Sequence, residues 1–201
     1  MALIFKIEIK EIYIYPLGAI SKFNMPLNIN PIKEFIILIM GPIFQILAYF
    51  ILVKLFPVYE SIIRIYNIGI LGFNLLPIYP LDGGKLLKLF LDKYISYKNS
   101  FNIIIYISYL VVLIIVLINR NININLIIIT IFLLFLVSKE KRRINCYYQK
   151  FILERYLNNY NFKNSKIINS KDRFYRNKKH IIKIDDNYYL EKEYLNKLYK
   201  K

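Results

Sequence analysis

Four stretches of this chain, residues 35–53, 65–81, 99–119 and 121–138, carry no charged side chain. An apolar helix of about 20 residues is long enough to cross a hydrocarbon core of roughly 30 Å. A mean hydropathy of +0.38 beside a formal net charge of +16 fits neither a soluble globular domain nor a disordered tail. The pattern predicts a polytopic membrane protein with spans at about 35–57, 62–81, 99–119 and 122–138. Residues 1–138 are its membrane domain.

The positive charge is concentrated after residue 138. Residues 139–201 hold 18 Lys and Arg against 7 acids, and residues 1–138 hold 11 against 6. A basic segment joined directly to membrane spans is explained by cytosolic retention and contact with anionic lipid, which displaces nucleic acid as the partner. The four lysines of residues 82–98 belong on the same side. Four spans then leave both termini cytosolic, in a multi-pass protein of the cell membrane with residues 55–61 and 119–122 outside.

Other signals are sparse. Cys146 is the only cysteine and His180 the only histidine, so neither a disulfide within the chain nor a cysteine metal cluster can form. No secretory signal follows Met1. Residues 4–15 alternate apolar and polar side chains, as a half-buried strand does, and Pro16-Leu17-Gly18 supplies a turn. Asn30 and Pro31 have the chemistry of a helix cap and first helical residue. After the spans, 147–158 reads as an interfacial helix, 179–184 as a strand and the last residues as a mixed helix. That tail is either a remnant of a regulatory module or loosely ordered.

Within the spans, two places carry polar chemistry. Span one contains Gly41-Pro42 and Gln45 near its middle, where Pro42 removes a helix hydrogen bond and Gly41 permits close approach. Gln45 there either bonds a neighbouring helix or meets a substrate. Span two is interrupted by Pro77 and Pro80 and ends on Asp82-Gly83-Gly84, with Asn67 and Asn74 two helical turns apart. A carboxylate at the end of an apolar segment needs a compensating partner. One reading makes Asp82 the N-cap of an amphipathic interfacial helix over 85–93, with Gly83-Gly84 as a flexible turn. The other makes it a ligand of a divalent metal.

The run Asn74-x-x-Pro77-x-x-Pro80-Leu81-Asp82-Gly83-Gly84 resembles the second signature motif of the site-2 protease family of intramembrane zinc metalloproteases. Met40-Gly41-Pro42 with Gln45 is similar to that family's Gly-Pro helix. The resemblance implies that Asp82 is one of three ligands to Zn2+, that Asn74 lies where the substrate strand is held, and that residues 4–30 form a short membrane-embedded β segment. The implied fold is otherwise all-α, a partial site-2 protease core. The order of elements is most like the sporulation branch, whose members cleave a membrane-tethered precursor protein and answer to regulatory membrane proteins.

One departure is large. The family draws its other two zinc ligands and its general base from a His-Glu-x-x-His helix, and no such motif occurs in these 201 residues. No catalytic residue is therefore assigned within the chain, and the motif is expected in frame upstream of Met1. Two functions follow: an intramembrane zinc endopeptidase that is inactive as this chain alone, or a non-catalytic membrane scaffold or substrate-binding remnant. A transporter with an ion site at the broken helix would call for an internal repeat, and none is seen.

Overall fold

The computed structural model describes residues 9–15, 18–23, 26–119, 123–162, 164–169, 173–184 and 187–199. Strand β1 (Ile9–Tyr15) pairs antiparallel with β2 (Gly18–Phe23), from Ile9 opposite Phe23 to Tyr15 opposite Gly18. Helix α1 (Pro31–Leu55) then begins as its sequence dictates: Pro31 needs no donor partner, and Asn30 Oδ1 accepts the Ile32 N–H at 2.9 Å. A 3-10 turn (Pro57–Tyr59) leads into α2 (Glu60–Leu75). Leu76, placed before Pro77, is extended, which ends that helix.

After the turn come α3 (Asp82–Tyr94), α4 (Tyr97–Ile118) and α5 (Ile124–Leu157). Helices α1 and α4 are long and apolar enough to cross a membrane. They leave large apolar side chains open, Phe50 and Leu117 among them. Such a surface is consistent with a membrane protein. Helices α4 and α5 form a hairpin whose polar rung is Tyr109 Oη with Ser138 Oγ at 3.0 Å. Lower down, the Tyr97 ring stacks on Phe151 at 4.2 Å and Phe101 on Tyr147 at 5.4 Å.

The chain closes with a three-stranded sheet, β3 (Asn164–Ile168), β4 (Lys178–Ile184) and β5 (Asn187–Leu190), followed by α6 (Glu191–Tyr199). Strand β3 is parallel to β4, and β4 antiparallel to β5. Alternation sets the inward face: His180 and Ile182 on β4 are buried, and Ile168 opposite Ile182 joins them. These residues, with Phe174 and Leu195, continue the apolar core that starts between α4 and α5.

Two buried arginines fasten the sheet to the helices. Arg155, near the end of α5, donates from Nε to Glu191 Oε1 at 2.6 Å and from Nη2 to Glu191 Oε2 at 3.0 Å. Its remaining donors go to Asn28 Oδ1 and the carbonyls of Tyr175 and Lys178. Arg176, ahead of β4, reaches Glu34 on α1, Asp92 on α3 at 3.4 Å and the Ile29 carbonyl at 3.2 Å. Asp92 also accepts from Lys88 at 2.7 Å and from Ser100 Oγ on α4.

The expected fold class does not hold. The β structure is not confined to a membrane-embedded N-terminal segment: the larger sheet lies at 164–190, so the chain is not otherwise all-α. Residues 26–30 of that supposed segment form a turn in a charged setting. Glu154 Oε2 accepts the Leu27 N–H at 2.7 Å, and Asn28 Nδ2 donates to the Phe151 carbonyl at 3.2 Å. Residues 4–8, 16–17 and 24–25 lie outside the described residues.

Two local readings change as well. Residues 147–158 form no separate interfacial helix, because α5 runs through Lys139–Arg143 without a break. The segment 85–93 is helical, yet part of its polar face is inside: Lys88 and Asp92 are buried, with the Lys88 ammonium over the Tyr97 and Phe101 rings at 4.2 and 4.3 Å. Burial pulls the Lys88 pKa down and Asp92 pushes it back.

The Glu191 site sets a pH dependence. Burial alone would raise the Glu191 pKa, but hydrogen bonds from His180 and Arg155 hold it at about 2 instead of its ordinary 4.5. A carboxyl depressed on folding adds stability above its unfolded pKa that is lost as pH falls through its folded one. Unfolding measured in detergent should therefore show stability falling between about pH 4.5 and 2, and Glu191→Gln should flatten that part of the curve. A wild-type profile flat over this range would contradict the assignment.

Candidate metal-binding turn

The segment between α2 and α3 is wound tightly. Ile78 N–H donates to the Leu76 carbonyl at 2.7 Å, and Leu81 N–H to the Ile78 carbonyl at 2.8 Å. The Tyr79 N–H, which the turn leaves pointing away, is met by Ser108 Oγ of α4 at 2.8 Å. Ile78 is fully buried, and the Tyr79 ring meets Phe101 edge to face at 5.2 Å. Pro77 and Pro80 lie in this turn, and the Tyr79–Pro80 peptide is cis.

The glycine pair is explained by close approach. A Cβ on Gly83 would lie 2.1 Å from the Leu75 carbonyl oxygen, and one on Gly84 would lie 2.4 Å from the Ile78 carbonyl carbon. Both obstacles are backbone, which cannot swing aside. Gly83 and Gly84 therefore do not act as a flexible turn; they are helical residues of α3 that let the turn fold back onto the first turn of that helix.

Asp82 is also not the N-cap. Leu81 holds that position without a side-chain bond, and Asp82 is the first helical residue, where its negative charge complements the helix dipole. Freed from capping, its Oδ1 accepts from Lys85 Nζ at 3.1 Å. Its Oδ2 lies 3.3 Å from where a Cβ on Gly41 would stand, so the Gly41-Pro42 step of α1 and the aspartate of α3 face each other. Pro42 is buried. Gln45, one turn further along α1, donates to the Asn67 carbonyl of α2 at 3.1 Å, which is the helix-bridging one of its two readings. Asn74 is half-buried on the last turn of α2.

A catalytic zinc takes three protein ligands. Asp82 offers one carboxylate, already engaged by Lys85, and no group of three or more His, Cys, Asp or Glu side chains comes together among the described residues. His180 cannot complete such a set. Its Nε2 accepts the Tyr175 N–H at 2.9 Å, so the ring proton sits on Nδ1 and points to Glu191 Oε2 at 3.0 Å. Both nitrogens are used. Burial lowers its pKa, and Arg155 nearby disfavours the imidazolium further. The residues present do not fit a zinc ion by themselves.

Residues 55–118, which contain Asn74, the whole turn and Asp82, match the model of Peptidase family M50. In this region the chain resembles the peptidases of family M50. The solved structure of the Site-2 Protease from Methanocaldococcus jannaschii superposes with a TM-score of 0.54 at 26% identity, over 66% of this chain and 64% of that one. Stage IV sporulation protein FB of Bacillus subtilis (strain 168) is 30% identical over 166 residues, which are 78% of this chain and 57% of that protein. The chain thus spans less than two thirds of the length of either relative.

The packing of the glycine pair is testable. Gly84→Ala should destabilise the protein by at least about 2 kcal/mol, since a methyl forced into backbone distorts its surroundings. Gly72→Ala on α2, where a Cβ would meet nothing within 4 Å, should be neutral or mildly stabilising. Thermal unfolding of the two variants in one detergent compares them. Equal midpoints would refute the close-approach account.

Proposed function

We propose that these 201 residues form a non-catalytic membrane scaffold of the site-2 protease type, which holds a membrane-tethered protein segment beside the Asp82 turn without cleaving it alone. The observation that carries this reading is the state of Asp82. It is presented as in a metal-binding turn, against the Gly41-Pro42 step, and its carboxylate is engaged by Lys85, with no cluster of metal-binding side chains among the described residues. Asn74, half-buried on the last turn of α2, is assigned to steadying the bound segment. Four crossings, with both termini cytosolic, complete the scaffold.

A second reading is favoured by the match of residues 55–118 and by the 26% identical solved protease. In a polypeptide that also carries His-Glu-x-x-His, Asp82 supplies a third zinc ligand and the assembly is an intramembrane endopeptidase. The resemblance to the sporulation branch implies a membrane-tethered precursor as its substrate.

Metal content tests the first reading. The purified 201-residue chain, equilibrated with zinc and desalted, should retain no more metal than its Asp82→Ala variant. About one zinc per chain, lost on Asp82→Ala, would overturn the scaffold reading in favour of a self-sufficient metal site.

A further inference from the structure

The lipid-facing side of the α4–α5 hairpin can be followed residue by residue. On α4, Tyr106, Leu110, Leu113 and Leu117 are exposed at helical spacing, and on α5 so are Ile128, Ile131 and Phe135. Continuing the α5 strip by two turns reaches Arg142, exposed and flanked by exposed Lys141 and Arg143. Lys141 Nζ stands 5.9 Å from the Tyr106 ring centroid and 5.7 Å from that of Tyr109. The cations therefore sit level with the tyrosines at which the exposed apolar strip of α4 begins. Tyrosine and basic side chains at such a boundary mark the headgroup layer.

The acid within this segment does not cancel the charge. Glu140 is buried and accepts from Tyr147 Oη at 3.1 Å, and of the three cations it approaches Arg143 alone, at 3.8 Å. Arg142 continues the apolar strip, Lys141 turns about 100° to one side over Tyr106 and Tyr109, and Arg143 turns about as far to the other, beside Glu140. We propose that Lys141 and Arg142 form a binding site for the phosphate headgroup of an anionic phospholipid, whose acyl chains lie along the Ile128–Ile131–Phe135 strip. Guanidinium groups pair phosphate in a bidentate manner, and the adjacent strip gives the chains an apolar wall. The site is independent of whether the Asp82 turn ever holds a metal.

Native mass spectrometry of the full chain in detergent, titrated with phosphatidylglycerol or phosphatidylcholine, tests this. Phosphatidylglycerol should bind more tightly, and the double variant K141Q/R142Q should weaken it by about tenfold or more. The charge-keeping variant K141R/R142K, which still carries one guanidinium, should retain most of the affinity. Removing the same charge elsewhere, as K179Q/K192Q, should change it little. Equal affinity for the two lipids, or equal losses in both neutralised variants, would overturn the proposal. Displacement of the lipid by an equal concentration of inorganic phosphate would also overturn it, since the site would then recognise free anion.

Discussion

Arg176 is the point at which this molecule is tied together. A guanidinium almost without solvent joins two regions that are distant in the chain from it and from each other: the turn at Ile29 with Glu34 at the entry to α1, and Asp92 near the end of α3. Taking such a charge out of water costs several kcal/mol, so it is tolerated only where carboxylates and carbonyls replace the lost hydration. Arg155 does the same one layer away, between α5, Asn28, the approach to β4 and Glu191. The C-terminal sheet is thus bonded to the ends of the helices, and the apolar core runs continuously from one to the other.

This fastening bears on the Asp82 turn because the helices it holds are the ones that form it. Glu34 lies two turns before Gly41 on α1, and Asp92 lies ten residues after Asp82 on α3. Fixing those two carboxylates on one guanidinium fixes the angle at which α1 and α3 approach. The approach itself is narrow: Asp82 Oδ2 is 3.3 Å from the Cβ position of Gly41, and Gly83 and Gly84 admit the backbone of the turn where any side chain would collide. The tail and the turn therefore share one mechanical frame, although their sequences have little in common.

Much of that frame was legible in the sequence, and the gaps have physical causes. Asn30 and Pro31 announce the start of α1, the proline pair announces the break after α2, and a bridge between helices is one of the two readings open to Gln45. Those signals are local. The Asn74-to-Gly84 spacing carried the family resemblance, and residues 55–118 bear it out. The role of Gly83 and Gly84 was misread because close approach depends on where Leu75 and Ile78 come to lie, which no local pattern reveals. The sheet at 164–190 was underestimated for a similar reason. Its strands are short and its inward face holds a histidine, so its stability comes from Arg155, Glu191 and Phe174, brought together only on folding. Lys88 and Asp92, four apart, could have been read as a helix pair, but their burial against Tyr97 and Arg176 could not.

The central claim is that Arg176 couples the C-terminal sheet to the helices that carry Gly41 and Asp82. Hydrogen–deuterium exchange of the full chain, wild type against Arg176→Gln, measures it directly. In the variant, protection should fall together in residues 26–34, in α3 and in β4. Loss of protection confined to residues 164–199, with α3 unchanged, would contradict it.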